Sequence, residues 1–376
     1  MITKIQSERF ITLDVFRGLT IFLMLIVNTS GGGAVPYSPL EHAQWNGCTL
    51  TDLVFPSFLF AVGNAMPFSM KKFENQLQRK VLYKIFKRTL IIFLVGYLLT
   101  WYTTIHFVNG KPVFTPFTQT RIMAVLQRIA LCYCFAALIA YYFSIRWVII
   151  FSVILLFLYW LLLYGLGEPG MQYTITGNAV RQIDLSVLGE RHMYREEGIV
   201  FDPEGLLSTI PATVNVLAGY LAGAFIIKKQ KTYESVAKLA IAGSLLILTG
   251  VFWNYFLPMN KKLWTSSYVV YTTGIDLIAV SILFYAIEIK QWKTGINFFS
   301  VFGKNPLFIY VLSNLFLFFL ILNVTPGKIF IDWINEVFFQ KIAPGPFGSL
   351  LFAICFTLVC WSVGWLMDKK KIYIRI

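Results

Sequence analysis

The sequence predicts an all-α membrane protein, a polytopic bundle of about ten transmembrane helices with the N- and C-termini in the cytoplasm. Three observations predict it. Of the 376 residues, 57% are hydrophobic and only 13% charged, with a mean hydropathy of +0.68; a soluble domain is nearer half apolar and a quarter charged. Apolar runs of spanning length recur along the whole chain. The basic residues cluster on alternate connections between those runs, which is the positive-inside pattern. The net charge of +14 is therefore a topological signal. No nucleic-acid partner is expected, because no basic helix interleaves with exposed aromatics.

A helix crossing the hydrocarbon needs about 20 apolar residues. Such runs fall at approximately 10–31, 52–70, 88–105, 120–143, 146–166, 206–227, 235–257, 266–289, 296–323 and 347–367. The first reads as a span and not a cleaved leader: it carries Asp14 and Arg17, lacks a small-residue cleavage site and continues to full length. The ninth is long and can tilt or break near Pro306. With a cytoplasmic N-terminus, the inside segments hold 20 Lys and Arg and the outside segments 9. That assignment puts His42 on the outer face. The longest outside loop, 167–205, is polar with scattered apolar residues and is expected to pack over the outer surface. No linker or fixed-period repeat divides the chain, so 1–376 reads as a single domain.

Ionisable groups inside a membrane are costly and point to function by default. Asp14 and Arg17 lie three apart in "LDVFRGLT", share a helical face and can pair. They are either a snorkelling pair or a place where the guanidinium fork meets a phosphate. Asn28 precedes Gly31–Gly33, whose lack of side chains lets backbone approach a ligand or turn sharply. Gln127 and Arg128 lie deep in "AVLQRIALCY". A buried Arg128 needs an anion; Asp14, Asp276 or a ligand phosphate are the candidates. Lys304 and Asn305 open the ninth span in "GKNPLFIY", where a helix start favours anions or simply needs a cap. Asp202 and Glu204 in "FDPEGLLSTIPA" open the sixth span. Carboxylates are favourable there in any case, and can also meet an amine. Trp264 in "NKKLWTSSYV" reads first as an interfacial anchor.

His42 is the strongest candidate. A lone histidine is usually structural, but Glu41, Gln44, Trp45, Asn46 and Thr49 surround it with polar company, and Asp52 caps the next span. Imidazole is the side chain best suited to proton transfer near neutral pH. His106 and His192 lack such neighbours. Four of the five cysteines lie in or beside apolar runs, and none has metal or disulfide spacing. There is no Walker loop, GxSxG elbow or HExxH motif, and no metal is expected.

Together, "RFITLDVFRGLTIFLMLIVNTSGGG", "EHAQWNGCTLTDLVFPSFLFAVGNAM", "LQRIAL", "FDPEGLLSTIPA", "NKKLWTSSYVV" and "GKNPLFIY" resemble the heparan-alpha-glucosaminide N-acetyltransferase family of transmembrane acyltransferases. The resemblance runs from about residue 9 to the last span. It implies acetyl transfer from cytoplasmic acetyl-CoA to the amine of a glucosamine unit across the membrane. It maps the family's luminal active-site histidine onto His42, its intramembrane Asp and Asn onto Asp14 and Asn28, and its L-Q-R arginine onto Arg128. A homodimer is implied by the resemblance alone. Lysosomal members carry an extra N-terminal region and span, and the loop before His42 is longer here ("AVPYSPLE"). The shorter form looks bacterial, placing the chain in the cytoplasmic membrane, in contact with lipid, with the acceptor site facing the periplasm.

These readings give a working expectation. Arg17, Gln127, Arg128, Lys304 and Asn305 hold acetyl-CoA; Trp45, Asn46, Asp202, Glu204 and Trp264 hold the amino-sugar acceptor. His42 is the general base, and Asn28 and Asp14 complete the catalytic set. A rise of about 1.5 Å per residue separates Asp14 from Asn28 by about 20 Å, so Asp14 belongs to the cytoplasmic end and Asn28 to the thioester end, donating to the oxyanion. A covalent acetyl-His intermediate is the rival route. The alternative function is an amino-sugar permease, with His42 as a gate.

Overall fold

In lipid each backbone amide needs a partner within its own segment, so long apolar runs close as helices. The computed structural model describes residues 10–29, 36–73, 76–108, 111–196, 198–229, 231–322, 324–325 and 328–374. Its helices follow the expected order: α1 (Ile11–Asn28), α2 (Leu50–Met70), α3 (Gln78–Thr103), α4 (Val125–Tyr142), α5 (Ile145–Leu166), α6 (Ala179–Leu188) and α7 (Thr209–Lys229). Then come α8 (Tyr233–Trp253), α9 (Ser266–Phe284), α10 (Ile296–Lys304), α11 (Pro306–Leu322), the short α12 (Phe330–Ile334) and α13 (Gln340–Ile342), and α14 (Pro346–Lys369). Among the described residues, eight of these are long and apolar enough to cross a membrane: α1, α2, α4, α5, α7, α8, α9 and α14.

Two expected spans differ from simple helices. The ninth is broken: α10 and α11 meet at 83°. Pro306 lacks an N–H and crowds the residue before it out of the helical region, and Asn305 sits there at φ −131°, ψ 51°. The expected span 88–105 is α3, but the helix starts ten residues earlier with Arg79, Lys80, Lys84 and Lys87 and ends at Thr103, leaving a short apolar stretch. The ten expected spans therefore become eight, a ninth as a bent pair, and one partly basic helix.

Lipid is as apolar as leucine, so membrane helices associate through close packing at small residues. A Cβ added to Gly18 of α1 would come within 1.8 Å of the Phe299 carbonyl of α10, and one on Gly63 of α2 within 1.9 Å of the Val216 carbonyl of α7. The centre of the bundle is α2, α4 and α7, each with 61% of its apolar window buried, against 28% for α5 and 22% for α8. Ile21, Leu25, Leu59, Cys132 and Val216 fill the interior.

The segment 167–208 is tied to one end of the bundle, where α2, α4, α7 and α9 begin. Asn178 caps α6 by accepting from the Arg181 amide at 2.8 Å. Asp184 of α6 accepts from the Leu206 and Leu207 amides at 3.0 and 3.2 Å, just before α7. His192 Nδ1 lies 2.8 Å from the Thr120 carbonyl, ahead of α4. Gly31–Gly33, read as a close-approach motif, lie outside the described residues.

Candidate active site

Two loops meet at this end. Gly47, at φ +116°, takes a turn that a side chain disfavours, and its amide donates to the Met259 carbonyl at 2.8 Å. Asn46 Oδ1 accepts from Asn260 Nδ2 at 3.2 Å. Asn260 in turn accepts from the Leu263 amide at 2.8 Å, and Lys262 Nζ donates to the Gln44 carbonyl at 2.8 Å. Trp45 Nε1 donates to the Tyr173 carbonyl at 2.6 Å, and its ring meets Phe201 edge-on. Trp45 and Asn46 thus hold the loop that carries His42.

Asp52 lies in the first turn of α2 and forms a capping box with Thr49. One carboxylate oxygen accepts from the Thr49 and Ala43 amides at 3.0 and 3.1 Å; the other lies 2.7 Å from His42 Nδ1. The Asp52 side chain is 1% exposed and that of His42 44%. A carboxylate only accepts, so this partner assigns the proton to Nδ1 and leaves the Nε2 lone pair open. Lys261 Nζ stands 3.1 Å from Nε2 and 3.2 Å from Nδ1. Burial holds the Lys261 ammonium below its ordinary range, against the raising influence of Glu204 and Asp52. Cys48 is no rival nucleophile: burial, then the Asp52 charge, pushes its thiol up to about 12.

Beside this group lies a buried ion cluster. Arg121 grips both Asp202 oxygens at 2.9 and 2.6 Å and Glu204 Oε2 at 2.6 Å. Burial disfavours the charge on Glu204, but Arg121 and then Arg128 draw its carboxyl below the usual range. Asp202 and Glu204 are therefore engaged by arginine, not open to an incoming amine on all sides. Arg128 is fully buried; it donates to the Gly205 carbonyl at 3.0 Å and to the Ser208 hydroxyl, and stacks at 4.8 Å over Trp264. Its Nε and Nη1 have no hydrogen-bond partner among the described residues. Neither expected carboxylate reaches it: Asp14 pairs with Arg17 at 3.7 Å, and Asp276 accepts from Ser57 at 2.5 Å. Trp264 is not an interfacial anchor. It is fully buried at φ +55°, donates to Asn215 Oδ1 at 3.0 Å and meets Phe55 edge-on.

The opposite end holds Asp14, Arg17, Lys304 and Asn305. Arg17 donates to the Gly303 carbonyl at 3.2 Å. Lys304 pairs with Asp368 at 2.7 Å, and Asn305 bonds the backbone of Ile372 and Ile374, both at 2.9 Å, so this corner also secures the C-terminal tail. A cavity of about 560 Å³ opens here. Asp14, Arg17, Lys72, Arg88 and Lys304 line its polar part; Met24, Phe58, Leu126, Ile129 and Tyr310 line its apolar part. Leu126 lies in the first turn of α4, so the apolar part extends toward the end of the bundle that carries His42. Gln127 is buried, and its amide has no hydrogen-bond partner among the described residues. The structure does not bring Arg128 to Arg17 and Lys304. Asn28 is the exposed last residue of α1; Ile26 and Val27 pack beside Tyr37 and Leu40, just ahead of His42.

Residues 9–251 match the heparan-alpha-glucosaminide N-acetyltransferase catalytic family. The chain belongs to this family. It is 30% identical over 364 residues to the heparan-alpha-glucosaminide N-acetyltransferase of Mus musculus, covering 81% of this chain and 53% of that protein. It is 29% identical over 366 residues to the protein of the same name from Homo sapiens, covering 82% and 53%. The chain spans about half the length of these curated relatives. In this family member, sequence reasoning gave Asp52 only a capping role and did not single out Lys261, Arg121, Lys72 or Arg88. Lys261 lies in the quoted "NKKLWTSSYVV", but no local pattern shows which loop it folds against. Among the described residues, no group of three or more His, Cys, Asp or Glu is arranged to hold a metal ion.

Proposed function

We propose that the chain is a transmembrane N-acetyltransferase that takes acetyl-CoA from the cytoplasmic face and acetylates the amine of a glucosamine-type acceptor at the other face. One observation carries this reading: a cavity with a largely cationic mouth extends along apolar side chains toward the end of the bundle where a buried carboxylate orients a histidine. CoA is anionic at its nucleotide end and thin along its arm, which suits Arg17, Lys72, Arg88 and Lys304 at the mouth and Leu126 and Ile129 beyond. Family membership supports the reaction class. The basic residues around the mouth support both termini in the cytoplasm, and in a bacterial cell the His42 end would face the periplasm.

An ammonium cannot attack a thioester. In this reading His42 Nε2 takes the proton from the acceptor nitrogen as it bonds to the acetyl carbon. The carbon–sulfur bond then breaks, and the proton passes to the departing thiolate as CoASH. Asp52 keeps Nδ1 protonated and the ring aimed. Asn28, at the His42 end of α1, is the candidate donor to the developing oxyanion. Such a base is worth about 10²–10⁴ in rate. The test is thiol release by purified protein given acetyl-CoA and glucosamine. Release that His42→Ala lowers by that factor supports the enzyme. Glucosamine uptake into vesicles without CoA and without thiol release overturns it in favour of a permease.

A further inference from the structure

Lys261 stands where the reaction needs another amine. A general base must come within about 2.6–3.2 Å of the group whose proton it takes, and Lys261 Nζ is already 3.1 Å from His42 Nε2. Its nearly equal distance to Nδ1, 3.2 Å, sets Nζ over the ring and not on the in-plane lone pair of Nε2. A donor on the in-plane lone pair of Nε2 would lie much farther from Nδ1, so that lone pair still points outward. The position is built, not accidental. Asn260 donates to Asn46 and accepts from the Leu263 amide, Thr265 Oγ1 accepts from the Asn260 amide at 3.0 Å, and Trp264 turns at positive φ beneath them. Lys261 is only partly exposed, and burial favours its free-amine form. A desolvated lysine is an activated nucleophile.

We propose that Lys261 Nζ is a resident acceptor: with acetyl-CoA bound and no outer amine present, the site acetylates its own Lys261. The proposal rests on the reading of His42 as the base of an acetyl-CoA-dependent transferase. The neutral Nζ bonds to the thioester carbonyl carbon and the carbon–sulfur bond breaks. A swing of the flexible lysine stem brings the Nζ proton onto the outward-facing Nε2 lone pair, and the proton goes on to the CoA thiolate. The products are Nε-acetyl-Lys261 and CoASH, with no further reactant. Proximity favours this step, since the amine and the base are held in one geometry. The product is an amide and does not hand its acetyl group on. It leaves an acetyl group in the acceptor-amine position, so the modified chain is arrested.

The test incubates the full-length protein in detergent with radiolabelled acetyl-CoA and no acceptor, followed by peptide mapping. Neutral hydroxylamine strips an acetyl-imidazole or a thioester but not an amide. The expected result is hydroxylamine-stable label at Lys261, no more than one per chain. Lys261→Arg removes it; Lys262→Arg, next in sequence, keeps it; His42→Ala slows its appearance by about 10²–10⁴. Hydroxylamine-labile label on His42 without label on Lys261 overturns the proposal. So does stable label spread over many lysines and indifferent to His42→Ala. Absence of label with normal CoA release on adding glucosamine overturns this proposal alone. Absence of both label and CoA release with every amine offered overturns the underlying reading as well.

Discussion

His42 Nδ1 and Asp52 Oδ1 lie 2.7 Å apart across ten residues of sequence. His42 hangs from an irregular loop, while Asp52 is rooted in the first turn of α2 and also holds the Thr49 and Ala43 amides. The helix-borne partner therefore aims the loop-borne one, and the same carboxylate starts the helix and sets the imidazole tautomer.

These two duties are separable by mutation. Asp52→Asn keeps the shape but loses the ionised acceptor, and is expected to lower CoA release by about 10²–10⁴. Thr49→Ala removes the cap, together with the hydroxyl's bonds to the Glu41 carbonyl and the Asp52 carboxylate, but leaves the ionised partner of His42 in place, and is expected to cost about 1 kcal/mol. The check is a steady-state assay beside a thermal melt for each variant. Asp52→Asn should fall mainly in the first and Thr49→Ala mainly in the second.

Stability should also carry a pH signature from Asp184. Burial, opposed by the Leu207 amide, pushes this carboxyl from 3.8 up to about 7. Between those values the folded state keeps a proton that the unfolded chain has released. The stabilisation is thus fully present below the lower value and is lost as pH rises through the higher one. The melting temperature of the wild type should fall across that window, and the slope should flatten in Asp184→Asn. A pH series of melts for both proteins measures it.

The ion cluster predicts an asymmetric response. Arg121→Met leaves the Asp202 and Glu204 carboxylates buried without their shared cation and is expected to cost about 3–5 kcal/mol. Arg121→Lys should recover only part of this, because an ammonium cannot reproduce the two-pronged grip on Asp202. Denaturation in detergent compares the two variants with wild type.

Helix contact is testable through glycine. Gly63→Ala drives a Cβ toward the Val216 carbonyl, whereas a Cβ on Gly165 meets nothing within 4 Å. The first should destabilise by about 1–3 kcal/mol, as overpacking does, and the second should be neutral or slightly favourable. Yield of monodisperse protein and melting temperature report the difference.

Much of this architecture is written in local patterns. Apolar runs and alternating basic connections mark the helices, and Pro306 marks the break, because each is a property of neighbouring residues. The pairings are not local. His42 meets Asp52 only because Gly47 turns the loop back and docks it on Met259. Trp264 has the composition of an interfacial anchor, yet a left-handed turn sends it inward beneath Arg128, onto Asn215. Arg128 announces a partner by being charged inside a span, but the partners prove to be the Gly205 carbonyl and the Ser208 hydroxyl, some eighty residues on. Lys304 reads as a phosphate ligand, and nothing near it in sequence shows that Asp368 of the last helix pairs with it. Helix starts and spans follow from what adjoins each residue; the site follows from which loops meet.

The account depends on a donor and an acceptor approaching from opposite faces. Proteoliposomes with a single protein orientation test that directly, with acetyl-CoA confined to the side of the Arg17–Lys304 mouth and glucosamine confined to the His42 side. The account predicts N-acetylglucosamine on the His42 side, free CoA on the other, and loss of both in His42→Ala. Acetylated sugar forming only when both substrates share one compartment would contradict it.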